Sequence, residues 1–283
     1  MSESRFRLED KGALDSSSPD HPGHGIGFHH VSLAVRHPTD LWPILAGSLG
    51  GRYVGRGIGP GYGWTQLQFA NGFRVEGIHP ETNPSGGDAT ETERGFVADY
   101  LDKFGVGPHH LTFRVSEFST VVDRLRSAGF EVFERHHVEP FEWKEAIIRA
   151  QDAHGTMVQL LDGIHNPTIL EDPPEGFPES DFDRQIASLA RVVHAVRDLP
   201  GALSLYRDLL GGKVVSTGAA IDGNHWVELG WGGPGRLRLL EGVHAEIAKW
   251  IGDRTGRTRH LFFNFDEPSY VQGAKKVASG RWV

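Results

Sequence analysis

The chain contains no cysteine. That excludes disulfide frameworks, thiolate nucleophiles, iron–sulfur clusters and Cys-type zinc fingers, and it leaves His, Asp, Glu and Gln as the protein ligands open to any metal. No stretch approaches the ~18 apolar residues that cross a bilayer, and the start, MSESRFRLEDKGALDSSSPDHPGHG, holds no apolar signal core. A cytoplasmic protein with no membrane partner is expected. Runs of Lys and Arg are also missing, and a net charge of -8 would repel a phosphate backbone, so nucleic acid is not an expected partner. Gly55, Gly57, Gly59, Gly61 and Gly63 form a glycine-rich run, but no Lys-Ser/Thr and no helix pattern follow it. A phosphate loop is excluded on that ground, and a hairpin or rim is expected instead.

What is present is a repeat. Four segments share one opening: FHHVSLAV from Phe28, PHHLTFRV from Pro108, LARVVHAV from Leu189 and TRHLFFNF from Thr258. Each is a β-branched and aromatic run that reads as a strand. The first three lead into an amphipathic stretch ending near glycine, as in PTDLWPILAGSLGG, VSEFSTVVDRLRSAGF and LPGALSLYRDLLGG, which reads as a helix. Strand-like runs with a Trp follow (GWTQLQF, EWKEAII, HWVELGW), and each unit closes on FRVEGIHP, TMVQLLD or RLRLLEG. The unit is βαβββ. His30 to Glu76 spans 46 residues, His110 to Gln159 spans 49 and Arg191 to Arg238 spans 47, so the units keep register. The fourth unit opens at His260, continues through a helix-like SYVQGAKKVAS and lacks its last two strands.

Two polar stretches divide the chain. The expected organisation is a tail over 1–26, a two-unit metal-binding domain over 27–165, a Pro- and acid-rich linker over 166–186, and a degenerate, incomplete domain over 187–283. The fold class expected is α+β, with tandem βαβββ modules forming curved mixed sheets. An incomplete fourth module leaves sheet edges to cover. Either the chain is cut inside a repeat or another subunit covers them, which makes a homodimer through the C-terminal half an expectation.

Alternation along a strand puts His30 and Ser32 on the face opposite Val31 and Leu33, and the same parity selects His110, Glu76 and Gln159. With the apolar face against the helices, these four turn to the concave side. Two imidazoles, a carboxylate and an amide suit one divalent ion (Zn, Co, Ni, Mn or Fe) and leave positions open for a small-molecule substrate. By the same parity His29 and His109 fall on the other face and read as structural. Trp64 and Trp143, with Gln66 beside the first, are the expected substrate-binding residues. At the ligand positions of the second half stand Arg191 and Arg238, so no metal is expected there.

The βαβββ repeat with FHHVSLAV and GPHHLTFRV resembles the vicinal oxygen chelate superfamily, which includes glyoxalase I, methylmalonyl-CoA epimerase, extradiol dioxygenases and bleomycin-resistance proteins. FVADYLDKFGVGPHHLTFRV, from Phe96 to Val115, is most similar to epimerases. The resemblance covers 27–165 well and 187–283 weakly. It implies a cup of curved sheet built by two modules, with His30, Glu76, His110 and Gln159 as metal ligands. Such epimerases have Gln where Glu76 stands and Glu where Gln159 stands, and their catalytic glutamate has no counterpart, since the matching position is Gln66. The Trp alignment places Glu145 at the equivalent position of the second module, so Glu145 is the expected general base and Glu142 the second choice. The activity implied is metal-dependent proton transfer, by an epimerase, isomerase or lyase, on a small carboxylic acid or acyl thioester. Alternatives are an Fe(II) ring-cleaving dioxygenase and a metal-free, ligand-sequestering protein of the bleomycin-resistance kind.

Overall fold

The structure is a computed structural model, and it describes residues 25–59, 61–81, 95–137, 143–162, 173–178, 186–219, 223–242, 244–265, 276–277 and 281–282. Nearly all of the expected tail, most of the expected linker and Glu142 lie outside the described residues. The modules are as the repeat implies. The first runs β1 (Ile26–Ala34), a π-helical turn (Pro43–Ser48), β2 (Arg52–Gly59), β3 (Tyr62–Gln68) and β4 (Arg74–Pro80). The second runs β5 (Gly107–Val115), α2 (Phe118–Ser127), β6 (Val132–His137), β7 (Trp143–Ile148) and β8 (Met157–Asp162), with α1 (Phe96–Phe104) ahead of it. The third runs β9 (Ser188–Val196), α3 (Leu199–Leu203) continuing into a π-helical turn, β10 (Lys213–Ala219), β11 (His225–Gly230) and β12 (Arg236–Glu241). After α4 (Ala245–Ile251), β13 (Gly256–Asn264) opens the fourth. In the stretch expected to be helical, Lys276–Val277 instead pairs with Arg281–Trp282 as a short ladder.

Sheet order makes the internal symmetry explicit. The first eight strands form one sheet, β2-β3-β4-β1-β5-β8-β7-β6, and the next five form β10-β11-β12-β9-β13. The antiparallel β1–β5 ladder is the axis of the first sheet, with Ser32 opposite His110 and His30 opposite Thr112. Each of these strands pairs on its other side, in parallel, with the closing strand of its own module: Ser32 faces Glu76 and Thr112 faces Gln159. Two residues fall out of the β1–β5 register, His29 and His109. Ala190 and Arg259 drop out at the matching places of the second sheet. A bulge of one residue turns its side chain away from the alternation.

The convex faces are apolar and pack together. Phe28 stacks on Phe113 at 4.9 Å across β1 and β5, and Trp231 of the second half meets both rings, at 5.7 and 5.0 Å. Buried Val31, Val75, Leu111 and Leu160 continue this core into Leu189, Val192 and Leu237. Close backbone approach completes the joint: a methyl group at Gly155, whose φ is +92°, would fall 1.8 Å from the Gly256 carbonyl oxygen. Only glycine fits there.

His194 is sealed at this junction, its Nδ1 3.2 Å from Thr258 Oγ1 and 3.4 Å from Thr156 Oγ1. Burial holds its pKa down at about 3. The unfolded chain takes up this proton below pH ~6.5 and the folded chain does not, so stability falls as pH drops from there toward 3. One such group contributes a slope of at most ~1.4 kcal/mol per pH unit. Thermal unfolding of His194→Gln should therefore show a shallower loss of stability between pH 6.5 and 4 than the unsubstituted chain. Parallel curves would contradict this.

Candidate metal centre

The concave side of the first sheet encloses a cavity of about 710 Å³. His30, Glu76 and His110 meet on its floor because β1, β4 and β5 are neighbours and the three residues share the concave face of the pleat. The two His Nε2 atoms lie 3.6 and 3.5 Å from Glu76 Oε1, and all three donor atoms fall within 4.8 Å of one another. Ligands at ~2.0–2.2 Å from one ion stand ~3–3.5 Å apart, so the spacing fits a single divalent cation with small adjustment. All three side chains are buried.

The polar partners around them make the fit more specific. Ser32 donates to Glu76 Oε1 at 2.5 Å and stands 2.8 Å from His110 Nε2, and Gln66 Nε2 donates to Glu76 Oε2 at 2.9 Å. Burial alone would push the Glu76 pKa up, but the His30 and His110 imidazoles and the Ser32 hydroxyl bring it down to about 2. Burial holds His110 well below the usual imidazole range. His30 Nε2 is buried and has no hydrogen-bond partner. A buried lone nitrogen, aimed at a carboxylate and beside a second imidazole, is what a cation would complete.

Every other residue expected at the site lines the same cavity: Trp64, Gln66, Trp143, Glu145 and Gln159. Gln159 Oε1 accepts from Thr112 at 2.8 Å while its Nε2 donates to Glu145 Oε2 at 2.7 Å. Glu145 is 5% exposed, with Arg135 Nη1 at 3.7 Å. The Trp-based alignment is displaced, however. Gln66 stands opposite Glu76, whereas the residue opposite Gln159 is Ile147, and Glu145 stands opposite Leu161 as Trp64 does opposite Ile78. The slip is two residues, an even number, so Glu145 keeps the inward face.

Alternation misplaced two residues. His29 and His109 were expected on the other face, but the bulges turn both toward the cavity, with Nδ1 atoms 2.7 and 2.8 Å from Nδ1 of His30 and His110. Burial pushes both below the usual imidazole range, with Arg114 and Arg74 adding to the effect at His29 and His109 brought to about 4. The sequence signal was the doubled histidine at matching places. Helix α1, which the repeat does not predict, walls the cavity with Phe96, Tyr100 and Phe104. Its Val97 and Leu101 are seated on Ala34 and Ile78, and Tyr100 donates to the Pro108 carbonyl at 2.6 Å.

In the second half, Arg191 and Arg238 both point at one carboxylate, Glu228, at 3.2 and 2.9 Å. Arg238 also lies 3.8 Å over the Trp226 ring. The positive charge there is supplied by side chains.

No family model matches the sequence, and no curated protein matches it. Solved structures do. A triple mutant of 4-hydroxymandelate synthase from Streptomyces coelicolor is 16% identical with a TM-score of 0.60, over 84% of this chain and 71% of that one. A xylose isomerase-like TIM barrel/4-hydroxyphenylpyruvate dioxygenase fusion protein is 14% identical with a TM-score of 0.54, over 84% of this chain and 36% of that one. Methylmalonyl-CoA epimerase from Mycobacterium tuberculosis is 24% identical over 48% of this chain and 87% of that one, with a TM-score of 0.40. The chain has the vicinal oxygen chelate fold. In this fold the concave floor of the first sheet is where the candidate donors of the chain converge.

Protein prepared without chelators or affinity tag should hold about one divalent ion per chain, and Glu76→Gln should lower that content at least ~10-fold while leaving the fold intact. Equal metal in both, by elemental analysis, would remove Glu76 from the donor set.

Proposed function

We propose that the chain is a metal-dependent enzyme of the vicinal oxygen chelate type that moves a proton next to a carbonyl in a small carboxylic acid or acyl thioester. The observation that carries this reading is a second buried carboxylate, Glu145, facing the same cavity but outside the cluster of His30, Glu76 and His110. A binding site for an ion needs only the donors, whereas proton transfer needs a separate base within reach of the substrate. When bound, a divalent cation would supply Lewis acidity to two neighbouring substrate oxygens and so acidify the intervening C–H.

The remaining steps belong to the chain. His30, Glu76 and His110 hold the ion in this reading, and Gln159 completes the set from β8, at the place related by the sheet's twofold to Glu76. Gln159 also orients Glu145 through the hydrogen bond to its Oε2. Glu145 accepts the substrate proton and returns it, to the other face for epimerisation or to another atom for isomerisation. Trp64 and Trp143 flank the bound substrate, and the α1 wall excludes water from it.

A second reading is an Fe(II) dioxygenase that uses the two imidazoles and Glu76. The two-His-one-carboxylate donor set favours it, and one fold neighbour, the TIM barrel/4-hydroxyphenylpyruvate dioxygenase fusion protein, is a dioxygenase by name. Iron with oxygen uptake would select this alternative, and protein free of any metal would support a ligand-sequestering role.

Glu145→Gln keeps the shape and removes the basic oxygen. Against a panel of small 2-substituted acids and their thioesters in D2O, this variant should retain metal and lose α-proton exchange by at least ~100-fold. Exchange at the unsubstituted rate would discard Glu145 as the base.

A further inference from the structure

We propose that His29 and His109 are positioning residues, each holding its neighbour by an Nδ1–Nδ1 hydrogen bond so that the Nε2 of His30 and of His110 is presented to the cation. The inference rests on the metal reading of the site.

Adjacent residues on a regular strand point to opposite faces and cannot bond side chain to side chain. The two bulges remove that obstacle at His29 and at His109 and nowhere else along the β1–β5 ladder. The result is a pair of nearly identical contacts, 2.7 Å and 2.8 Å between Nδ1 atoms. The second half is an internal comparison. There the bulges persist at Ala190 and Arg259, so the fold keeps them without histidine, and the first of them precedes Arg191, where the ligand imidazole is gone. The doubled imidazole occurs where both ligand positions are histidine, as expected if the extra ring serves the ligand and not the strand.

An Nδ1–Nδ1 contact this short needs one proton, on one ring only. A ligand using its Nε2 lone pair must carry its own proton on Nδ1, so in the loaded site His30 and His110 donate while His29 and His109 accept.

The test uses the full chain with Co²⁺ and Zn²⁺ as probes. His29→Leu and His109→Leu should bind Co²⁺ ~10–100-fold more weakly than the unsubstituted chain. His29→Asn and His109→Asn, whose side-chain oxygen can accept from Nδ1–H, should recover much of that loss. Leu variants that bind as tightly as the unsubstituted chain, or Asn variants no better than Leu, overturn the inference. If the Leu variants do not fold, ¹⁵N imidazole shifts of the unsubstituted protein decide it. In the Zn²⁺-loaded chain His30 and His110 should carry their proton on Nδ1 and His29 and His109 should leave Nδ1 bare, and a loaded site with the proton on Nδ1 of His29 or His109 overturns the inference. An unsubstituted chain that binds neither ion overturns the metal reading, and the inference with it.

Discussion

A carboxylate taken out of water must find compensating charge or hydrogen bonds, and in this chain the compensation for Glu76 is possible only because β1 and β5 lie side by side and antiparallel. That ladder sets Ser32 opposite His110, while the parallel pairing of β4 with β1 sets Glu76 opposite Ser32. Three polar residues from three strands are thereby placed on one face without any loop to hold them. Sites carried on strands keep their geometry through the ladder's own hydrogen bonds, and here the apolar convex face, locked by Phe28, Phe113 and Trp231, keeps the ladder from slipping.

The same architecture in the second half carries other chemistry. Arg191 and Arg238 stand where His30 and Glu76 stand, and Glu228, at the place of Gln66, takes both guanidiniums. One carboxylate is again neutralised on a concave face, this time by covalently attached cations. The fold thus tolerates either solution, and the side chains at a few ladder positions decide whether a concave face gathers metal-ligand types or its own guanidiniums. The second half contributes instead to the shared core, and Arg254 stacks at 3.8 Å on Phe104, one of the residues of the cavity wall.

Repeat spacing and strand parity were sufficient to read the βαβββ modules and to bring His30, Glu76, His110, Gln159 and Glu145 to one cavity, because both signals are periodic and a sheet with one buried face enforces the period. What escaped them is what breaks periodicity. A bulge adds one residue, leaves composition unchanged and reverses parity only locally, so strict alternation puts His29 and His109 on the wrong face. Trp64 and Trp143 look equivalent in sequence but stand two ladder positions apart. The error did no harm to Glu145, since a shift of two preserves the face. Helix α1 lies between modules, where no repeat predicts it, and its amphipathic pattern in FVADYLDKF is short.

The central claim is that one cation is held on the β1–β4–β5 floor. Its most direct test is a crystal structure of the zinc-loaded chain with diffraction measured on both sides of the zinc absorption edge. The account predicts one strong anomalous peak, ~2.0–2.2 Å from His30 Nε2, His110 Nε2 and a Glu76 carboxylate oxygen. A cavity without a peak, or a peak bound elsewhere in the chain, would contradict it.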